Sequence, residues 1–257
     1  MENEQHDRAN EALARMEHLL RHPPCGRMPS MLLYGDIDIG KTMIIDKFVR
    51  DHSNICNEFG EVEARKVLGR QMPSKSNDCG LYAQIIESLG HYSPYTRRGT
   101  DLKVLGLQLL HRHPPKIMIV DEVHHLLAGT VREQRQSLNL LKFLSNELRM
   151  PVIALDTSEA MYAMQADPQI ASLFEPFALP RWRKSAGVRE FVVNFGRLLP
   201  LHLPSPFGDK EMIQKLMACR GGLTGRITTL LAQAAELATH QKTESTSLDE
   251  ETDDALA

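Results

Sequence analysis

Hydrophobic residues follow two alternating patterns along the first 180 residues of the chain. Uninterrupted apolar runs of strand length stand at residues 30–34, 116–120 and 151–155, and a poorer run at 64–72 is interrupted by Gly69. Apolar residues at helical spacing predict helices at residues 10–20, 41–50, 80–89, 101–112 and 133–149. Strands that alternate with helices predict an α/β fold with a parallel sheet flanked by helices on both faces.

The pattern changes after Pro180, where helical spacing continues at residues 188–199, 210–219 and 224–240 without another strand. We therefore expect four parts in the chain. They are an N-terminal helix and lead-in at residues 1–29, an α/β core at 30–180, a small helical lid at 181–240, and an acidic tail at 241–257 whose polar composition predicts disorder.

Charge is unevenly distributed along the 257 residues, which carry 30 Lys and Arg against 33 Asp and Glu. The last 17 residues contain six acids and one lysine, a net charge of −5, so residues 1–240 carry +2. A mildly basic folded part permits a polyanionic partner, because binding to nucleic acid depends on a local basic surface rather than on overall charge.

The cysteines and the N-terminal residues indicate the compartment. The four cysteines are far apart with no C-x-x-C pair, so neither a zinc site nor a disulfide framework is predicted. Charges throughout the first 20 residues and the short apolar runs predict no signal peptide and no membrane span. We expect a cytoplasmic protein.

A phosphate-binding loop follows the first predicted strand. The motif G-x-x-x-x-G-K-[ST] occupies residues 35–42 and precedes a predicted helix, which is the context that this motif requires. Its backbone N–H groups and the start of the helix suit the phosphates of ATP. We expect contacts with the nucleotide from Gly35, Asp36, Ile37, Asp38, Ile39, Gly40, Lys41, Thr42 and Met43. Asp36 and Asp38 are unusual here, because they place acids near an anion.

The apolar strand at residues 117–120 ends in Asp121 and Glu122. Together with the phosphate loop, this pair predicts the second half of an NTPase site. Thr42 and Asp121 are the expected Mg²⁺ ligands, Lys41 is expected to reach the β- and γ-phosphates, and Glu122 is expected to activate the attacking water.

Beyond these two motifs, the chain resembles the TniB and TnsC family of AAA+ ATPases of transposition. The resemblance covers residues 10–240 and is carried by His124–Arg135, by residues 138–148, by Asp167-Pro168-Gln169-Ile170 with Phe174, and by Leu179-Pro180-Arg181-Trp182. It implies a P-loop NTPase core with a helical lid that forms rings or filaments on double-stranded DNA when ATP is bound. It also implies that the protein recruits a DDE-type transposase (TniA/TnsB-like) with a TniQ-like partner, and that hydrolysis disassembles the oligomer.

The same resemblance assigns roles to two further residues. Thr157 falls at the polar sensor position on the strand beside the acidic one, and Arg226 falls at the sensor arginine of the lid, able to contact the nucleotide phosphates. A solvent-facing helix arginine is the alternative for Arg226. The family usually has Gly where this chain has Asp156, and an arginine finger where this chain has Leu173. We therefore expect slow hydrolysis, or another arginine in that role, with Arg181 and Arg183 as candidates.

A short basic segment is the candidate DNA contact. Thr96, Arg97, Arg98 and Lys103 correspond to a family segment that lines the DNA pore, where they would contact backbone phosphates without reading sequence. A solvated surface loop is the alternative. The histidine pairs His111/His113 and His124/His125 lack the spacing and companion ligands of a metal site, and we interpret them as surface or structural residues.

Two other functions fit the same nucleotide motifs. One is a helicase loader of the DnaC type, although the residues after Glu122 do not resemble a loader. The other is a nucleotide-gated scaffold with little hydrolysis. We set a transposase aside, because the chain lacks a separate triad of metal-binding carboxylates.

Overall fold

The structure is a computed structural model that describes residues 4–52, 55–56, 62–64, 66–71, 78–91, 99–127, 130–165, 168–201 and 205–240. The strands are β1 (Met31–Tyr34), β2 (Ile55–Cys56), β3 (Val62–Ala64), β4 (Val67–Gln71), β5 (Ile117–Asp121), β6 (Val152–Asp156) and β7 (Glu175–Ala178). The helices are α1 (Glu4–Leu20), α2 (Lys41–Asp51), α3 (Asp78–Ser88), α4 (Gly99–Arg112), α5 (Val131–Glu147), α6 (Ser158–Gln165), α7 (Pro168–Ala171), α8 (Ala186–Gly196), α9 (Lys210–Arg220) and α10 (Thr224–His240), with a 3-10 helix at Val123–Leu127.

The chain divides into two compact units. The sheet unit comprises Ala12–Gly35 and Lys41–Ala178. The helical unit comprises Met1–Glu11, Asp36–Gly40 and Leu179–Ala257. The centre of the predicted phosphate loop therefore groups with the C-terminal helices, while its two ends belong to the sheet unit.

A five-stranded parallel sheet in the order β4-β5-β6-β1-β7 forms the centre of the sheet unit. The register pairs Tyr34 with Asp156, and Val120 with Ala154. The carboxyl ends of β5, β6 and β1 therefore lie side by side along one edge. In open parallel sheets this edge is where ligands bind.

Burial on both faces explains the continuous apolar runs of these strands. Every residue of β6 is buried, as are the first four of β5, and residues of α3, α4 and α5 pack with them in one hydrophobic core. Each fully buried aliphatic side chain contributes on the order of 1.5–3 kcal/mol to folding. The sheet is thus a stable base for the polar residues at its edge.

The helical unit has a hydrophobic core of its own, built from α8, α9 and α10. Trp182 is buried there and stacks on Phe191 with ring centroids 5.1 Å apart. Gly221 ends α9 with a φ of +59°, a left-handed conformation that glycine adopts without strain. Trp182 is therefore a packing residue of the helical unit.

Several elements of the sheet unit were not predicted from the sequence, namely the short helices α6 and α7, the edge strand β7 and the β2–β3 pair. β7 has only four residues, two of them exposed, and contains Pro176, so it lacks an apolar run. Pro176 is tolerated because β7 is an edge strand, so the backbone groups along its outer side have no partner strand in the sheet. The antiparallel β2–β3 pair is also too short to produce a pattern. Among the described helices, none is both long and apolar enough to span a bilayer.

Candidate functional site

The ends of the phosphate loop lie at the carboxyl edge of the sheet. Gly35 follows β1, and its N–H donates to the backbone oxygen of Asp156 at 3.3 Å. Lys41 begins α2, and its Nζ donates to the Gly35 backbone oxygen at 2.7 Å. Thr42 and Met43 follow in the first turn of α2 and are exposed. The side chains of Lys41 and Thr42 therefore both extend from the first turn of α2.

The centre of the loop, Asp36–Gly40, is held by the start of α10 within the helical unit. The Gly225 N–H donates to the Asp38 backbone oxygen at 2.7 Å, and the Thr224 hydroxyl donates to the Ile39 backbone oxygen at 2.8 Å. Asp38 and Gly40 have φ values of +64° and +105°. Left-handed residues turn the loop sharply, as a loop that directs its N–H groups toward one anion requires.

Both unusual acids of the loop pair with arginines. Asp36 accepts a hydrogen bond from Arg181 Nε, and Asp38 Oδ2 lies 3.5 Å from Arg226 Nε. All four side chains are more than a third exposed, so each pair contributes at most about 1 kcal/mol. The two arginines balance the negative charge of the loop, and one of them, Arg226, is already in contact with the loop.

The acidic pair lies at the end of β5. Burial raises the pKa of Asp121, and the nearby charges of Glu122 and Asp156 raise it further, while the Glu122 N–H and Lys41 oppose them. Asp121 Oδ1 accepts that N–H at 2.8 Å. Glu122 itself has a φ of +54°, which is uncommon for a residue with a side chain. Strain of this kind is concentrated at functional sites.

Asp156, at the end of β6, organises the neighbouring strand end. Its buried carboxylate accepts hydrogen bonds from the backbone N–H groups of Thr157, at 2.7 Å, and of His124. The same carboxylate lies 2.9 Å from His124 Nδ1. The Thr157 hydroxyl oxygen accepts the Ala160 N–H at 3.2 Å and caps α6. His124 therefore has a structural partner. No local pattern predicts this contact, because 32 residues separate the two side chains.

The structure brings together some predicted residues and leaves others apart. Within the sheet unit, Gly35, Lys41, Asp121, Glu122 and Thr157 share one edge of the sheet. Arg226 and the loop centre meet in the helical unit. The candidate DNA residues Thr96, Arg97 and Arg98 lie outside the described residues. Lys103 is exposed on α4, where its Nζ lies 5.8 Å from the centroid of the Phe143 ring.

Leu173, at the expected position of an arginine finger, is half-buried against the core of the sheet unit. The backbone oxygen of its neighbour Ser172 accepts a hydrogen bond of 2.5 Å from Arg27, which precedes β1. Arg27, Leu173 and Phe174 line one cavity of about 320 Å³. Arg27, which was not among the candidates for a substitute finger, therefore lies beside this position.

Several solved structures share this fold. The ORC1 protein of Aeropyrum pernix in complex with DNA gives a TM-score of 0.71 at 17% identity, covering 99% of this chain and 65% of that one. Drosophila ORC bound to DNA gives 0.64 at 18%, covering 100% and 61%. AMPPCP-bound DnaA from Aquifex aeolicus gives 0.56 at 14%, covering 95% and 67%. The chain thus spans less than two thirds of the first two proteins, and the likeness shows an AAA+ fold.

The sequence comparisons identify a family but no individual relative among curated proteins. No curated protein matches the chain in sequence. The family model described as bacterial TniB protein matches residues 3–184, which include the phosphate loop, the acidic strand and the residues on which the resemblance rests. The chain therefore belongs to the TniB family of AAA+ ATPases.

Proposed function

We propose that this protein is an ATP-dependent, non-sequence-specific DNA-binding protein of transposition. It assembles as a ring or helical filament on double-stranded target DNA, recruits or activates a DDE-type transposase with a TniQ-like partner, and disassembles on ATP hydrolysis. The observation that carries the proposal is the TniB match over residues 3–184, which spans the nucleotide motifs of the sheet edge. We place the nucleotide-binding core at residues 30–180 and the lid at 181–240.

ATP fits the loop through groups that the chain already orients. The left-handed Asp38 and Gly40 shape the backbone, and Lys41 stands at the start of α2 with its ammonium group on the loop side. Phosphate binding would replace the bond from Lys41 to the neutral Gly35 oxygen with a bond between two oppositely charged groups, which is stronger. Arg226, whose Nε lies 3.5 Å from Asp38 Oδ2, would exchange that carboxylate for the phosphates.

Magnesium fits the donor set of Thr42 and Asp121, since a hydroxyl and a carboxylate oxygen are hard ligands of the kind that Mg²⁺ prefers. When bound, Mg²⁺ neutralises charge that develops on the β- and γ-phosphate oxygens. The nearby positive charge would also offset the burial that raises the pKa of Asp121.

ATP hydrolysis needs one group that accepts a proton and one that orients the attacking water, and we assign these roles to Glu122 and Thr157. Glu122 accepts a proton from water as the water oxygen attacks the γ-phosphorus and ADP leaves. The Thr157 hydroxyl oxygen already accepts the Ala160 N–H, so its proton is available to donate to the water or to the γ-phosphate. Leu173 supplies no charge in trans, and slow turnover is the expected consequence.

DNA contact is assigned to Thr96, Arg97, Arg98 and Lys103. Lys103 is exposed on α4, as a phosphate contact requires. Two of the structurally similar proteins were solved with DNA. Phosphate contacts of this kind bind any sequence and weaken as salt increases.

Phosphate release tests the proposal, with and without random double-stranded DNA. Glu122→Gln is expected to lower the rate about 10²–10⁴-fold while it retains binding of a fluorescent ATP analogue, whereas Lys41→Ala loses both. Unchanged release by Glu122→Gln would contradict the assigned base. Leu173 favours a second candidate, a nucleotide-gated scaffold, which predicts ATP-dependent assembly with no measurable release under either condition.

A further inference from the structure

A basic cavity of about 830 Å³ lies in the sheet unit, at the opposite edge of the sheet from Gly35 and Lys41. It is formed by the end of α1 and the proline turn that follows it, the residues that precede β4, β5 and β6, and the end of α5. Since all three strands are parallel, their amino ends share this edge. The cavity takes no part in the nucleotide chemistry proposed above.

Four cations line this cavity against one carboxylate. The carboxylate, Glu17, is already bonded to Arg21 at 3.1 Å and to His52. Lys66, Lys116 and Arg149 also line the cavity and form no ion pair within the described part of the chain. Uncompensated positive charge in a concave surface concentrates the electric field and attracts anions.

The backbone holds two of these cations side by side. The Lys116 N–H donates to the Lys66 backbone oxygen at 2.9 Å, which joins the starts of β5 and β4. Pro115 and Pro151 are buried in the walls. Proline has no N–H, so recognition depends on the side-chain cations, and the rigid walls lower the conformational entropy that binding would cost.

Arg149 adds an independent observation. It follows the C-cap of α5 with a φ of +49°, in the left-handed position where helices commonly carry glycine. An L side chain is strained in that conformation, whereas glycine adopts it freely. An exposed arginine in this strained position, lining the cavity, points to a role for its charge.

We propose that this basic cavity binds the acidic segment of this chain at residues 244–254, from the same or a neighbouring copy. The segment supplies six carboxylates, the chemistry that the free ammonium and guanidinium groups recognise. The cavity of about 830 Å³ has room for side chains of an extended peptide between its proline walls and its cations. The bound segment neutralises the cavity and is released as salt increases.

The test uses a labelled peptide of residues 241–257 and the full chain in which all six tail acids are changed to amides. This tail-neutral chain is expected to bind the peptide at least tenfold more tightly than the unmodified chain, because the covalently attached acidic tail competes at high effective concentration. A peptide with the same six acids amidated is expected not to bind. Equal binding of the peptide by both chains would overturn the proposal.

Arg149→Gly is the decisive variant, because glycine relieves the left-handed strain while it removes the charge. In the tail-neutral chain it is expected to weaken peptide binding about tenfold, the usual consequence of losing one charge-assisted contact, with a melting temperature equal to or above the parent's. Arg135→Gln, an exposed arginine near the other end of α5, is the matched control and retains binding. Unweakened binding by Arg149→Gly contradicts the proposal.

Two further measurements complete the test. In the unmodified chain, a carbodiimide is expected to couple the amines of Lys66 or Lys116 to tail carboxylates, and the absence of any such cross-link would overturn the proposal. A labelled DNA duplex separates the other polyanion. If Arg149→Gly weakens binding of the duplex but not of the peptide, the cavity is a DNA contact and the tail is not its ligand.

Discussion

Asp121 ionises in unfavourable surroundings at the end of β5. Burial and the charges of Glu122 and Asp156 raise its pKa, so the folded protein holds the proton more tightly than the unfolded chain does. The stability that this group contributes is therefore present at low pH and is lost as pH rises through the folded-state pKa. At neutral pH the ionised carboxylate destabilises the fold, and its retention is explained by a functional role.

Asp121→Asn tests this trade-off. At neutral pH we expect the free energy of unfolding to rise by less than about 1 kcal/mol, because solvent screens a half-exposed group, and the melting temperature to rise with it. We also expect loss of Mg²⁺-dependent ATP hydrolysis. The amide oxygen can still accept the Glu122 N–H. Asp51→Asn is the control of opposite sign, since the Lys47 hydrogen bond lowers the pKa of Asp51. A lower melting temperature for Asp121→Asn would contradict the account.

Asp38 connects the phosphate loop to Arg226 and repels an incoming anion. Asp38→Asn is expected to tighten ATP binding a few-fold, because exposed charges interact by about 1 kcal/mol or less, and asparagine tolerates the left-handed backbone at this position. Fluorescent-nucleotide titration measures the change. The matched control is Asp46→Asn, an exposed acid on α2, which leaves affinity unchanged. Weaker binding by Asp38→Asn would show that the Arg226 pair supports the loop.

At the scale of elements, the turn between α7 and β7 determines the expected rate. Leu173→Arg is expected to raise DNA-stimulated phosphate release at least tenfold, since arginine fingers contribute on the order of 10³–10⁵. Arg27→Ala, which removes the guanidinium bonded to Ser172, is expected to lower the residual rate if Arg27 partly fills that role. No change in Leu173→Arg would refute the idea of a missing finger.

Elements with a strong periodic pattern were predicted, and those without one were not. β1, β5 and β6 are buried on both faces, so their sequences read as apolar runs and reveal the parallel sheet directly. β7 lies at an edge, half exposed, and is specified by its pairing with β1. The predicted ends of the helices were accurate to a few residues, except that α1 begins at Glu4 rather than at residue 10.

The candidate site shows the same division between local and long-range information. The positions of Lys41 and Asp121 follow from motifs that each span a few residues, and the parallel sheet places both at one edge. The pairing of Asp38 with Arg226 joins residues far apart in the chain, as does that of Asp156 with His124. No local pattern carries such contacts, so only the folded chain reveals them.

For the whole molecule, we expect the nucleotide state to control assembly on DNA. A protein that binds ATP between copies gains assembly free energy from the nucleotide and loses it when the γ-phosphate leaves. The loop centre and Arg226 belong to the helical unit, whereas Lys41 and Asp121 belong to the sheet unit. We expect the nucleotide state to influence the helical unit through Arg226, which contacts the loop at Asp38.

Co-sedimentation of the purified protein with random double-stranded DNA, supported by negative-stain imaging, tests the central claim most directly. Samples carry ATP, a slowly hydrolysed ATP analogue, ADP or no nucleotide. The account predicts rings or filaments on DNA with ATP and the analogue, persistent with the analogue, and little assembly with ADP or without nucleotide. DNA binding that is independent of nucleotide, or no assembly under any condition, would contradict it.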